Sequence, residues 1–346
     1  MLKFYSSICL TSSLSLAIAS LFPNPALASA FSRIYGFGDS LSDTGNTLLI
    51  TTAANESNPL IPIVPPESLG YVNGRFANGD IWLDRLTNRL GIPLPPVSIL
   101  AGGTNENGVN FSTNSATTGE ENTFPITLPG LVGLEQQITQ FQTANSTADP
   151  NALYILWAGA NDYLGGGITD PSEPVANLSA AVETLYNLGS RHFLVGNLPA
   201  LGQTPLALSR GTEVVNSLNQ VTAGHNFLLS QSIDNLRLLP GIDLKLLDIA
   251  SLFENAITRP TDFGFNVVDA PCLVNSPLFT PPPAVPSQCD NPDQYLFWDD
   301  LHPSTATHQF IGDLAFQSLA IPESSPVVGI LAFGSLIGAL SLIKKP

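Results

Sequence analysis

Charged residues are scarce in this sequence. They make up 12 % of its 346 residues, against roughly 25 % in most soluble domains. The shortage is one-sided, because 12 Lys and Arg stand against 28 Asp and Glu, for a formal net charge of −16. Such a protein repels polyanions, so we expect no nucleic-acid partner and a neutral or cationic substrate. Solubility alone is the alternative explanation of the charge.

Cysteine is equally scarce, with three residues in the chain. Cys9 lies in a predicted leader, which leaves Cys272 and Cys289 as an even pair at the ends of a Pro-rich segment. In an exported protein such a pair predicts a disulfide. No neighbouring Cys or His completes a ligand set, so we expect no metal.

The glycine-rich segment near the start of the chain lacks two known motifs, one for binding a dinucleotide and one for a hydrolase nucleophile. Gly36 and Gly38 are not followed by the third glycine of G-x-G-x-x-G, which argues against a dinucleotide cofactor. The serine after them lacks the G-x-S-x-G frame, which argues against the α/β-hydrolase fold.

Both ends of the chain carry targeting signals. Residues 1–30 begin with Lys3, continue through an apolar stretch and end in Ala28-Ser29-Ala30, which predicts a secretory signal peptide rather than a short membrane anchor. At the other end, Pro322-Glu323 precedes the apolar run 327–343 and two lysines. Residues 321–346 resemble PEP-CTERM sorting signals, with Ser324 in place of the second proline. This resemblance implies transient membrane association and cleavage by a sorting protease; a plain C-terminal anchor is the alternative.

Between the ends, short apolar runs alternate with helical patterns over residues 31–320. The runs predict strands at 34–37, 109–112, 152–157, 193–195 and 242–249, and helices are expected at 174–188, 214–239 and 304–319. This alternation is typical of an α/β domain with a parallel sheet covered by helices on both faces. Because sites in such sheets form at the carboxyl ends of the strands, the polar motifs that follow the strands are the candidate site.

A serine follows the first strand, in Gly38-Asp39-Ser40-Leu41. A serine between a strand and a helix can expose its hydroxyl at the sheet edge and direct its own N–H at a developing oxyanion. Asn161 follows another strand, and its side-chain amide is a suitable second donor. A turn with capping side chains is the alternative interpretation of each motif taken alone.

The third motif is Asp299-Asp300-Leu301-His302-Pro303. A carboxylate three residues before a histidine can hold the imidazole while it takes the proton from a serine and returns it to the leaving alkoxide. His192 begins a strand, and the two remaining histidines lie in helical patterns where a buried structural role is expected. Ser40, Asp299 and His302 are therefore the candidate nucleophile, orienting acid and base.

These motifs, taken in order, resemble the GDSL (SGNH) esterase/lipase family. The quoted blocks are Gly38-Asp39-Ser40-Leu41, Asn73-Gly74-Arg75-Phe76, Gly159-Ala160-Asn161-Asp162 and Asp299-Asp300-Leu301-His302. The resemblance implies a flavodoxin-like three-layer α/β/α sandwich with a parallel central sheet. It also implies hydrolysis of small-molecule or lipid acyl esters, without a cofactor, through an acyl-enzyme on Ser40. An acyltransferase with the same triad and a non-catalytic surface binding module are the alternatives, and we expect a monomer.

One block departs from the family pattern. Asn110-Phe111-Ser112-Thr113-Asn114-Ser115-Ala116 places Ser115 where the family has a glycine whose N–H binds the oxyanion. The backbone donor survives the change, although a side chain restricts the backbone conformations available there. The resemblance thus implies an oxyanion hole made by Ser40, Ser115 and Asn161.

Overall fold

The computed structural model of the chain describes residues 31–279 and 283–320. The predicted signal peptide at 1–30 and the predicted sorting segment at 321–346 lie outside the described residues, so both stay predictions.

A four-stranded parallel sheet forms the centre of the molecule. Its strands are β1 (Ile34–Gly38), β2 (Leu153–Trp157), β3 (His192–Gly196) and β4 (Asp243–Leu247), and they lie side by side in that order. Each strand pairs in parallel with its neighbour. The residues of β1 and β2 are buried throughout, as continuous apolar strands between two helix layers must be.

The predicted strand at 109–112 forms only isolated bridges beside β1. The N–H of Gly36 donates to the carbonyl of Val109 at 3.0 Å, and the N–H of Phe111 donates to Gly36 at 2.7 Å. The same pattern reaches both ends of β1, where the N–H of Ile34 donates to Asn107 and that of Thr113 donates to Gly38, at 3.2 Å each. On the side away from β1, the side-chain amide of Asn46 binds the carbonyls of Asn110 and Ser112. With this segment counted, the order across the sheet is the flavodoxin-like 2-1-3-4-5, which confirms the predicted three-layer α/β/α fold.

Helices cover both faces of the sheet, and alternate strand residues face the two layers. Tyr154 and Leu156 pack towards the helices Leu134–Ala144, Ser172–Leu188 and Thr212–Leu236. Leu153, Ile155 and Trp157 pack towards the helices Trp82–Leu90, Ile249–Thr258 and Thr305–Ala320. The helices are α1 (Asn46–Ser57), α2 (Trp82–Leu90), α3 (Ser98–Ala101), α4 (Leu134–Ala144), α5 (Ala160–Leu164), α6 (Ser172–Leu188), α7 (Pro205–Ser209), α8 (Thr212–Leu236), α9 (Ile249–Thr258) and α10 (Thr305–Ala320). Within residues 31–279 and 283–320, none of the helices combines the length and apolarity that crossing a membrane requires.

Short strands outside the main sheet organise the end of the chain. The strand β5 (Val267–Pro271) pairs in parallel with β8 (Tyr295–Phe297), and β6 (Leu273–Val274) pairs antiparallel with β7 (Ser287–Gln288). The predicted disulfide between Cys272 and Cys289 is present beside the second pair, with the two Cα atoms 5.0 Å apart. We call the chain between these two cysteines the disulfide loop.

Candidate active site

Ser40, His302 and Asp299 form a continuous chain of hydrogen bonds at the carboxyl edge of the sheet. The Oγ of Ser40 lies 2.9 Å from Nε2 of His302, and Nδ1 of the same ring lies 2.8 Å from Oδ2 of Asp299. The three residues are 5 %, 2 % and 0 % exposed. The structure thus brings Ser40 together with a histidine that lies 262 positions later in the sequence.

The end of β1 sets the position of Ser40. A side chain at Gly38 would clash with the backbone carbonyl of Trp157 on β2, so only glycine lets the two strands approach here. The side-chain amide of Gln137 then occupies both backbone groups of Gly38, at 2.9 Å each. The strand therefore ends with its backbone satisfied, two residues before the nucleophile.

Buried polar side chains fix the loop after Ser40. The carboxylate of Asp43 accepts hydrogen bonds from the N–H groups of Gly45, Asn46 and Thr47, the first groups of α1, which caps the helix. The side chain of Asn110 donates to the carbonyl of Ser42 at 2.7 Å. These bonds attach the nucleophile loop to the segment that leads to Ser115.

Ser115 adopts the left-handed backbone conformation, with φ of 62°. Glycine is the residue that takes this conformation without strain, which accounts for the family's preference at this position. The carbonyl of Ser115 accepts from the N–H of Thr123 at 2.9 Å, and the side chain lines the same cleft as Ser40. The backbone N–H of Ser115 is thereby kept beside the nucleophile.

Asn161 lies in α5, directly after β2. One N–H of its side-chain amide donates to the carbonyl of Ala116 at 3.0 Å, which leaves the other available. The next residue, Asp162, accepts from both the N–H and the hydroxyl of Thr118. The helix that carries Asn161 is therefore bonded to the loop that carries Ser115.

Three donors around the nucleophile have no acceptor from the protein. Among the described residues, the N–H groups of Ser40 and Ser115 form no hydrogen bond, and Asn161 keeps one free N–H. All three residues line one cleft. This arrangement can bind an oxygen that gains negative charge next to Ser40.

Asp299 is held in its charged form at the opposite end of the triad. Burial alone would raise the pKa of Asp299, but the attraction of His302, together with hydrogen bonds from that residue and Tyr71, keeps the pKa below its usual range. The other oxygen of the carboxylate accepts from the N–H groups of Leu301 and His302, at 2.9 and 2.7 Å. The carboxylate is thus fixed by several donors and can orient the imidazole.

The other buried acids and histidines have different environments. Burial raises the pKa of Asp39, next to the nucleophile, to about 7. Burial lowers the pKa of His225 to about 4 and that of His308 to about 3. Both histidines are neutral core residues in helices, as the sequence predicted, with Nδ1 bonded to Tyr163 and to the N–H of Trp82 respectively.

Two cavities of unequal size meet at Ser40, Asn161 and His302. The larger is an open cleft of about 470 Å³, whose walls are mostly apolar. The smaller encloses about 30 Å³ between Trp157 and Phe297. The site can therefore receive a substrate with one sizeable apolar portion.

The part of the chain that the structure describes contains no group of three His, Cys, Asp or Glu side chains able to hold a metal.

Sequence reasoning missed the residues that surround the triad from a distance in the chain. The hydroxyl of Tyr71 donates to Asp299 at 2.6 Å, and the rings of Phe76 and Phe279 lie 5.1 and 5.9 Å from the ring of His302. Phe76 belongs to the family block Asn73-Gly74-Arg75-Phe76, and Tyr71 stands two residues before that block. The residue types in this segment do not by themselves indicate a catalytic role. The sequence signal for these residues was the resemblance of this segment to the family, and the sequence assigned no function to it.

The sequence is similar to known proteins over most of its length. The family model of the GDSL-like lipases/acylhydrolases matches residues 34–315. A phosphatidylcholine-sterol acyltransferase of Aeromonas hydrophila is 28 % identical over an alignment of 347 positions. The alignment covers 89 % of this chain and 95 % of that protein. A GDSL esterase/lipase of Arabidopsis thaliana is 30 % identical over 326 residues, covering 82 % of this chain and 81 % of that one. The aryl esterase of M. smegmatis, whose structure is known, is 16 % identical with a TM-score of 0.42, over 84 % of this chain and all of that one.

Proposed function

Because this chain belongs to the GDSL-like lipase/acylhydrolase family and is an ester-bond hydrolase, we propose that it cleaves acyl esters through an acyl-enzyme on Ser40. The observation that carries the proposal is the unbroken hydrogen-bond chain from Ser40 through His302 to Asp299. Ser40 and His302 of this hydrogen-bond chain line a cleft that is large enough for a substrate.

In the proposed mechanism the Oγ of Ser40 attacks the ester carbonyl while Nε2 of His302 takes its proton. The imidazolium then gives that proton to the alkoxide of the leaving alcohol, and the acyl group stays on the serine. Water repeats the sequence on the acyl-enzyme and releases the acid. Asp299 keeps Nδ1 protonated and directed, so that Nε2 is the basic nitrogen.

The free donors of Ser40, Ser115 and Asn161 bind the carbonyl oxygen as it becomes an oxyanion. Each donor of this kind lowers the barrier by about 3 kcal/mol in serine hydrolases. The hydrogen bonds from the Asn161 amide to the carbonyl of Ala116 and from Thr118 to Asp162 support this assignment, because they fix the donors before the substrate arrives.

The shape of the site supports an uncharged ester with an apolar chain as substrate. The cleft of about 470 Å³ is lined by Phe76, Phe124, Ile126 and Leu164, among others, whereas the second cavity has room for only a small group. A series of nitrophenyl esters with acyl chains of increasing length tests this directly. The proposal expects hydrolysis that persists beyond the acetyl ester and disappears in Ser40→Ala; full activity in that variant contradicts it.

Acyl transfer is a second candidate, supported by the relative in Aeromonas hydrophila that is named an acyltransferase. A transferase uses the same acyl-enzyme but releases the acyl group to an alcohol in place of water. Ester hydrolysis measured with and without an alcohol acceptor, with both products quantified, separates the two. A non-catalytic binding module is disfavoured by the assembled triad.

We also propose that the protein is exported and processed at both ends. The disulfide between Cys272 and Cys289 supports an oxidising compartment, and the two terminal segments predict a mature protein that starts near Phe31 and is cut near Pro322 by a sorting protease. Mass spectrometry of the native protein tests these points together. An intact C-terminal peptide in a membrane fraction would favour a permanent anchor.

A further inference from the structure

Tyr71 contacts the catalytic carboxylate at the same oxygen that faces the imidazole. Its hydroxyl donates to Oδ2 of Asp299 at 2.6 Å, and Nδ1 of His302 lies 2.8 Å from that oxygen. Tyr71 is 2 % exposed and does not line either cavity at Ser40. Among the described residues, its one hydrogen bond to the triad is therefore the bond to Asp299.

The disulfide loop holds the hydroxyl of Tyr71 in place. The Oγ of Ser276, which is fully buried, lies 3.0 Å from the Tyr71 hydroxyl. A tyrosine hydroxyl has a single proton, and that proton is directed at Asp299. Ser276 must consequently donate to the tyrosine oxygen, which makes one directed chain from Ser276 through Tyr71 and Asp299 to His302.

Resting on the proposed function, we propose that Tyr71 is a positioning residue of ester hydrolysis, held by Ser276, that fixes the Asp299 carboxylate and limits its pull on His302. A carboxylate with a short hydrogen bond from a buried hydroxyl shares its negative charge with that donor. Without the donor, the full charge of Asp299 acts on the imidazole and the carboxylate loses one of its fixed points.

The direction of the resulting pH effect follows from this charge. A carboxylate that keeps its full charge stabilises the imidazolium form of the base, so the acid limb of the activity profile moves to higher pH. The other titratable groups near the ring are unchanged by the substitution. They are Asp39, Asp300 and the buried His308.

The test is Tyr71→Phe in the full-length protein, which removes the hydroxyl and keeps the ring. We expect kcat to fall roughly tenfold, KM to change little, and the acid limb of the kcat/KM profile to move to higher pH. Tyr154→Phe is the matched control. Tyr154 is equally buried and its hydroxyl donates to a backbone carbonyl at 3.1 Å, but it lies near the amino end of β2, away from the triad.

Ser276→Ala should change kcat and the pH profile in the same direction but by less, because Tyr71 still reaches Asp299. Adding it to Tyr71→Phe should have little further effect, since the two residues act in series. Wild-type kcat and an unmoved acid limb in folded Tyr71→Phe would overturn the inference, as would the same pH shift in Tyr154→Phe. Either result leaves the proposed function intact, whereas a wild-type protein without esterase activity would contradict the proposed function itself.

Discussion

At the residue scale, the proposed oxyanion donors are the residues whose individual roles are easiest to test. Asn161 offers one free amide N–H that is oriented by the carbonyl of Ala116. Asn161→Ala should lower kcat by about 10²- to 10³-fold with little change in KM, because the donor acts mainly on charge that develops in the transition state. Steady-state kinetics on one ester measure both constants. A change confined to KM would assign Asn161 to substrate binding instead.

Ser115 occupies a backbone conformation that its side chain disfavours, with φ of 62°. Ser115→Gly keeps the N–H donor and removes a strain of about 1 kcal/mol, so we expect unchanged or higher kcat and a higher melting temperature. Ser115→Ala is the control, because it removes the hydroxyl and keeps the strain. A loss of more than about tenfold in both variants would mean that the hydroxyl of Ser115 has a role of its own.

The contribution of Asp39 to the stability of the fold depends on pH. Burial raises its pKa from 3.8 to about 7, so the folded protein binds a proton there between those values while the unfolded chain does not. The contribution of Asp39 to stability therefore falls as pH rises through this window, by roughly 4 kcal/mol at most. Asp39→Asn removes the titration, so its free energy of unfolding should gain on the wild type between about pH 4 and pH 7. Urea unfolding at several pH values measures this, and a difference independent of pH would contradict it.

At the element scale, the disulfide loop contributes both to the stability of the fold and to the contacts around the triad. It contributes Ser276 to the contact with Tyr71 and Phe279 to the ring contact with His302. Reduction should lower the stability by about 3 kcal/mol for a bond that spans 17 residues and should also lower kcat. Melting and ester hydrolysis with and without a reductant measure both effects. The double variant Cys272→Ser/Cys289→Ser is the control, since it should match the reduced protein and ignore the reductant; activity unaffected by reduction would contradict this role.

The elements that the sequence predicted are those with a strong local signal. The runs at 34–37, 152–157 and 193–195 are strands with bounds shifted by one residue, and α6, α8 and α10 cover the three predicted helices. Helices such as α2 and α4 lie outside these predictions, although the buried apolar residues of α2 at 82, 83, 86 and 90 recur at a helical spacing. The segment at 109–112 reads as a strand, yet side-chain amides take its outer carbonyls.

The site divides in the same way between local and distant information. Ser40, Asn161, Asp299 and His302 stand in motifs, so their residue types and positions could be identified from the sequence. The hydrogen bond between Tyr71 and Ser276 joins residues 205 positions apart, and no local pattern reports such a contact. The role of Gln137 at the end of β1 was hidden for the same reason, 99 positions away.

At the scale of the whole molecule, the fold explains why scattered motifs can act as one site. The parallel sheet brings the carboxyl ends of β1 and β2 to one edge, which places Ser40 and Asn161 side by side. The chain that follows β8 returns to that edge with Asp299 and His302. The cleft has mostly apolar walls in a chain with a surplus of acidic residues, and under the proposed function this combination favours uncharged esters over polyanions.

The central claim is that Ser40 is a nucleophile activated by His302 and Asp299, and covalent labelling tests it most directly. The purified protein is treated with a fluorophosphonate, and the modified residue is located by mass spectrometry of its peptides. The proposed mechanism predicts a single adduct on Ser40 that forms much more slowly in His302→Ala and is absent from Ser40→Ala. An unlabelled wild-type protein that hydrolyses esters, or an adduct on another serine, would contradict it.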